Sequence, residues 1–150
     1  VLDMGERGSS ARTITPGRAK GKLLGGNLTV LSTLMGTPWV PDFDGAILFL
    51  EDVGEAPYRI DRMMSQLALS GMLNEVAGVV FGQCTRCSPD NADSVSVADV
   101  MRHHLGPLQV PVCIGANIGH VANQLSLPSG ARVRLDTAAG TLAVMEAITA

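Results

Sequence analysis

The sequence predicts an α/β domain whose sheet is partly parallel and closes with an antiparallel hairpin. Three observations carry this. Ala46-Ile47-Leu48-Phe49-Leu50 is an unbroken apolar run between Asp44-Gly45 and a group of acids, the pattern of a strand covered on both faces. Val76 to Phe81 is a second such run, and an amphipathic stretch of helical length separates the two, which suits a right-handed parallel crossover. Ala131 to Asp136 and Thr141 to Met145 each alternate in polarity around the turn Thr137-Ala138-Ala139-Gly140, which suits a hairpin.

Residues 1–12, with Gly5, Gly8, Ser9 and Ser10, read as an irregular leader or linker with a mobile start, and 13–150 as the domain. Arg18 to Leu24 alternate basic with small or apolar residues, which predicts an edge strand that Gly25-Gly26 breaks. Asn27 then caps a short helix, Leu28 to Leu34, closed by Gly36 and Pro38. Trp39 to Asp44 connect it to the central strand. After that strand, Pro57 opens a helix with Tyr58, Met63, Leu67 and Leu69 on its apolar face, and Gly71 stops it. The second strand ends at Gly82, and the polar stretch Gln83 to Ser94 reads as a loop. Ser96 with Asp99 forms a capping box for a helix to Leu105, which Gly106-Pro107 terminate. Val110 to Ile114 make a short strand, and Gly115 to Leu125 a long loop bearing His120.

With 150 residues, 46% of them apolar, the chain can bury one core without staples. A net charge of −3 with interspersed signs offers no basic face to nucleic acid. The apolar runs fall far short of the roughly 20 residues of a membrane span, and Val1 to Arg7 lack the features of a signal peptide. Val1 is no initiator methionine, so the start reads as a processing site, an engineered boundary or a break within a longer protein. Three cysteines, an odd count, argue against a disulfide framework and for a reducing, cytoplasmic setting. Cys84-Thr85-Arg86-Cys87 has redox or half-zinc spacing, but no second pair completes four ligands, and a structural or incidental role is expected.

The chemistry concentrates where the central strand meets Glu51, Asp52 and Glu55. Such carboxylates can hold a metal, orient a histidine or act as acid and base. Asp52 and Glu55 also suit the positive end of the following helix. Glu51 directly follows the buried run, where an ionised group needs a partner to offset desolvation, and local pattern leaves its role open. His103-His104 near a helix carboxyl end fit the helix dipole, whereas His120 lies in a glycine-bearing loop after a strand, a usual place for a working group. A base and a carboxylate to orient it are two parts of a triad. No Gly-x-Ser-x-Gly elbow supplies the third.

Gly25-Gly26-Asn27-Leu28-Thr29, Gly36-Thr37-Pro38, Ile47 to Glu55 with Tyr58 and Ile60-Asp61-Arg62, then Gly119-His120 with Gln124, resemble in order the carboxyl-terminal half of the LD-carboxypeptidases. These are serine peptidases that include murein tetrapeptide carboxypeptidase and the microcin C immunity protein. The resemblance implies a swivelling β/β/α-type domain and a Ser-Glu-His triad in which Glu51 and His120 stand at the family's glutamate and histidine. It also implies a cytoplasmic homodimer without metal or other cofactor, and removal of the terminal D-alanine from murein tetrapeptide during peptidoglycan recycling. The immunity-protein branch instead cleaves a peptidyl nucleotide. In the family the serine sits on a first domain that has no counterpart in this sequence. The chain alone is therefore expected to be inert, with its nucleophile and most of its oxyanion hole supplied by that N-terminal domain. Two rivals stand beside this reading: a binding or dimerisation module without chemistry, and a metal hydrolase using Glu51, Asp52 and His120.

Overall fold

The computed structural model describes residues 1–4, 11–88 and 95–147. Strands β1 (Leu2–Asp3) and β2 (Arg12–Thr15) precede β3 (Arg18–Asn27), which runs straight into helix α1 (Leu28–Leu34). Strand β4 (Ile47–Val53), helix α2 (Pro57–Leu69) and strand β5 (Gly78–Thr85) make the crossover unit. Helix α3 (Val97–Leu105), strand β6 (Val112–Ala116) and the hairpin of β7 (Arg132–Asp136) with β8 (Thr141–Val144) complete the described strands and α-helices. The strands form one mixed sheet in the order β1-β8-β7-β3-β4-β5-β6-β2. Strands β3 to β6 are mutually parallel, and the other pairings are antiparallel.

The continuous apolar run of β4 follows from burial on both faces. Leu48 and Leu50 pack with Val79 and Phe81 under the three helices, against Leu31 of α1, Ile60, Met64 and Leu67 of α2, and Met101 and Leu105 of α3. Ile47 and Val80 face the other way, into a second cluster with Leu23, Val133, Leu135 and Leu142. Each fully buried side chain of this size contributes about 1.5–3 kcal/mol. Below the second cluster, the buried hydroxyl of Thr137 donates to the Thr15 carbonyl and accepts from the Gly17 amide, which ties the β2–β3 connection to the hairpin turn.

Helix starts are where the sequence places them. Asn27 accepts from the Val30 amide, Pro57 opens α2, and Ser96 and Asp99 form the reciprocal capping box of α3. Several strand boundaries differ. β3 is a central strand between β7 and β4, not an edge, and Gly25-Gly26 continue it rather than break it. The reason is close approach: a Cβ on Gly25 would lie 2.8 Å from the Phe49 carbonyl carbon of the neighbouring strand. β4 runs on to Val53, so Glu51 and Asp52 are its last buried residues rather than the first of a turn. β5 passes through Gly82 to Thr85, and a Cβ on Gly82 would meet that of Ile118 at 3.1 Å. The remainder of the expected Gln83–Ser94 loop, from 89 to 94, lies outside the described residues.

Of the expected irregular leader, Leu2–Asp3 pair with β8 and Met4 is fully buried, while residues 5–10 lie outside the described residues. Cys84 and Cys87, for which a structural or incidental role is expected, are joined by a disulfide that the odd cysteine count argued against, and Cys113 is a buried free thiol. A left-handed Arg86 (φ 58°) turns the chain back after β5 and brings the two Cα atoms to 5.5 Å, inside the bridging range.

Candidate active site

The carboxyl ends of the four parallel strands gather one group of polar side chains, as expected at that edge of an open α/β sheet. Asn27 ends β3, Glu51 and Asp52 end β4, Gln83 and Thr85 end β5, and the loop carrying His120 leaves β6. Register places Asn27 directly beside Glu51 and Thr85 beside Val53.

His120 Nδ1 lies 2.8 Å from Glu51 Oε2. The two residues are 69 apart in sequence, and the fold brings them into hydrogen-bond contact. Glu51 is 8% exposed, whereas the His120 side chain is 55% exposed. An ionised carboxylate can only accept, so this contact puts the proton on Nδ1 and leaves the Nε2 lone pair free to act on another group. Asn27 Nδ2 donates to Glu51 Oε1 at 3.2 Å, so each oxygen of the buried carboxylate has a donor. That satisfies the requirement that a charge removed from water be hydrogen-bonded.

The loop is held from several sides. Thr85 Oγ1 donates to the His120 carbonyl at 2.9 Å, and the Leu125 amide donates to the Asn117 carbonyl at 2.7 Å. Gln83 Nε2 reaches Asn117 Oδ1 at 2.7 Å. Gly119, at φ 95°, lies flat on Glu51, and a Cβ there would stand 2.7 Å from the Glu51 Cβ. Only glycine fits both that angle and that spacing. Beside the pair a cavity of about 290 Å³ is lined by Gly26, Phe49, Glu51, Gly119, Gln124 and Leu127.

The other sequence candidates fall away from the pair. Asp52, 2% exposed, turns to α1 rather than to α2: its Oδ2 accepts from the Thr29 amide at 2.9 Å and hydroxyl at 2.8 Å, and its Oδ1 from Asn27 and Val53. Glu55 faces Arg59 at 3.7 Å. His104 pairs with Asp61 at 2.8 Å between α3 and α2. Sequence reasoning missed Asn27 as a neighbour of Glu51 and Thr85 as a holder of His120. Neither carried a local signal: Asn27 meets Glu51 only because β3 runs through Gly25-Gly26 in parallel register with β4, and Thr85 meets His120 only across the sheet edge.

Fold and site together define a mixed α/β domain that presents a carboxylate–imidazole pair at the carboxyl edge of its sheet. The chain belongs to the family described as the LD-carboxypeptidase C-terminal domain, which matches residues 20–135. It is 38% identical over 135 residues to the Bacillus subtilis protein named as a probable murein peptide carboxypeptidase, covering 89% of this chain and 42% of that protein. It is 33% identical over 114 residues to the murein tetrapeptide carboxypeptidase of Pseudomonas aeruginosa, covering 75% and 37%. The muramoyltetrapeptide carboxypeptidase of Oxalobacter formigenes superposes with a TM-score of 0.76 at 33% identity, over 91% of this chain and 50% of that one. The microcin C7 self-immunity protein MccF shares the fold with a TM-score of 0.84 at 24% identity, over 95% and 42%. The chain thus spans less than half the length of the curated relatives it matches. No helix among the described residues is long and apolar enough to cross a membrane.

Proposed function

We propose that this chain, 13–150 above all, is the C-terminal domain of a serine-type LD-carboxypeptidase acting on murein tetrapeptide, and that Glu51 and His120 are two members of its triad. The observation that carries the reading is the 2.8 Å contact between His120 Nδ1 and a buried Glu51, in a ring that is itself more than half exposed. His120 Nε2 takes the proton of a serine hydroxyl supplied by an N-terminal domain, as the serine oxygen attacks the carbonyl before the terminal D-alanine. Glu51 holds the ring and stabilises its charged form. The imidazolium then gives its proton to the departing D-alanine nitrogen, and a water, deprotonated by the same nitrogen, releases the acyl chain from the serine. The oxyanion donors come largely from the domain that bears the serine.

The enzyme works in the cytoplasm, as a homodimer and without a metal or cofactor. Identity of 33–38% to proteins named for murein peptides, against 29% to MccF of Escherichia coli, favours the murein reading over cleavage of a peptidyl nucleotide. The test is D-alanine release from murein tetrapeptide by the intact protein and its variants. His120→Ala and Glu51→Gln are expected to lower kcat by about 10³-fold or more with little change in KM. Turnover by His120→Ala near the unaltered rate would sink the triad and favour the non-catalytic module, and loss of activity in a chelator would favour the metal hydrolase.

A further inference from the structure

Thr85 touches both halves of the site, one through its backbone and the other through its hydroxyl, and the Cys84–Cys87 disulfide encloses it. Its backbone sits beside Val53 at the end of β4, and its carbonyl accepts from the Gly54 amide at 2.8 Å, so it fixes the strand end that carries Glu51. Its hydroxyl donates to the His120 carbonyl at 2.9 Å, so it also fixes the loop that carries the imidazole. Thr85 and Arg86 form the turn closed by the Cys84–Cys87 bridge, and Arg86 holds a left-handed conformation that side chains other than glycine disfavour. Cys84 is half-buried and Cys87 buried, and both line a cavity of about 380 Å³ together with Gln83, Ser88 and Ser96.

We propose that Thr85 is a positioning residue for the Glu51–His120 pair, and that the Cys84–Cys87 bridge is a redox-sensitive clamp on it. A low-molecular-weight dithiol opens the clamp by exchange. Its thiolate attacks one sulfur and displaces the other as a thiolate, which takes up a proton. Its second thiol then resolves the mixed disulfide, so that one dithiol becomes a cyclic disulfide while the protein gains two electrons and two protons. With the bridge open, Arg86 relaxes from its left-handed angle, Thr85 loses its fixed place, and both contacts loosen together. In a thiol-rich compartment the geometry of the pair then follows the thiol poise.

The consequence for turnover rests on the triad reading, but the placement of Thr85 does not, and the test reads the placement. The purified chain is compared with and without dithiothreitol, the bridge being followed by mass after native alkylation. Cys113, whose thiol burial pushes up, stays unmodified in both states. Reduction is expected to speed exchange of the Gly54 amide about tenfold and to move the His120 ring signals, while the Val79 amide, bonded to the Pro111 carbonyl at 2.9 Å in the core, keeps its protection. In the oxidised chain, Thr85→Val is expected to reproduce the shifted His120 signals and Thr85→Ser to retain the original ones. Identical Gly54 exchange and His120 signals in the two redox states would overturn the clamp. So would loss of protection at Val79, because the bridge would then be a staple of the whole fold. A triad failure shows elsewhere, as unimpaired turnover by His120→Ala in the intact protein, and leaves both readouts untouched.

Discussion

At the scale of single residues, Asn27 carries two duties that one substitution can separate. Its Oδ1 caps α1 by accepting from the Val30 amide at 3.1 Å, while its Nδ2 donates to Glu51 and to Asp52, each at 3.2 Å. Asn27→Ala removes both duties, and the lost cap alone is expected to cost about 1 kcal/mol. Asn27→Asp keeps an acceptor for the cap but turns the donor into a third carboxylate beside two others. Like charges so close disfavour ionisation, so Asn27→Asp is expected to melt lower than Asn27→Ala at neutral pH and to recover as acid protonates the cluster. Thermal melts of the two variants from pH 7 to pH 4 check this, and an Asn27→Asp protein as stable as the unaltered one at pH 7 would refute it. Cap chemistry made half of this residue legible in the sequence. The other half depended on a partner 24 positions away.

At the scale of elements, the caps set helix starts, and α3 gives the cleanest measurement. Hydrogen bonds from the Ser96 hydroxyl and then its backbone amide hold the Asp99 carboxyl below the usual carboxylate range. A depressed folded value means that this contribution is present above the unfolded value and is lost as pH falls through the folded one. Ser96→Ala is expected to cost about 1 kcal/mol at neutral pH, with the gap in Tm to the unaltered chain narrowing below the ordinary carboxylate range. A gap that stays constant down to pH 2 would count against the box. Ser96, Pro57 and Asn27 were readable because a cap is local chemistry, and the apolar runs of β4 and β5 were readable because burial on both faces leaves no other pattern. Gly25 and Gly82 misled because a glycine that admits a neighbouring backbone looks, in one dimension, like a glycine that ends a strand. The pairing of Leu2–Asp3 with β8 joins residues about as far apart as the chain allows, and no local signal announces it.

At the scale of the whole molecule, the pair is built from one side only. Glu51 is buried with a donor on each oxygen, yet the imidazole it holds is more than half exposed. A general base in open water has no bound hydroxyl to activate, and its charge is screened where a closed site would strengthen it. If a serine-bearing domain covers this edge, His120 passes from exposed to enclosed when the intact protein assembles. Two results follow. The isolated chain is expected to release no D-alanine from murein tetrapeptide. Carbethoxylation of His120, read by peptide mass, is expected to slow by about tenfold or more between the isolated chain and the intact protein, as for any group moved from solvent into a domain interface. His104 supplies the internal control, since its pairing with Asp61 between α2 and α3 keeps its side chain only 9% exposed in this chain already. Equal reactivity of His120 in both forms would leave its imidazole facing solvent in the assembled enzyme. The hydroxyl it deprotonates could not then belong to a covering domain.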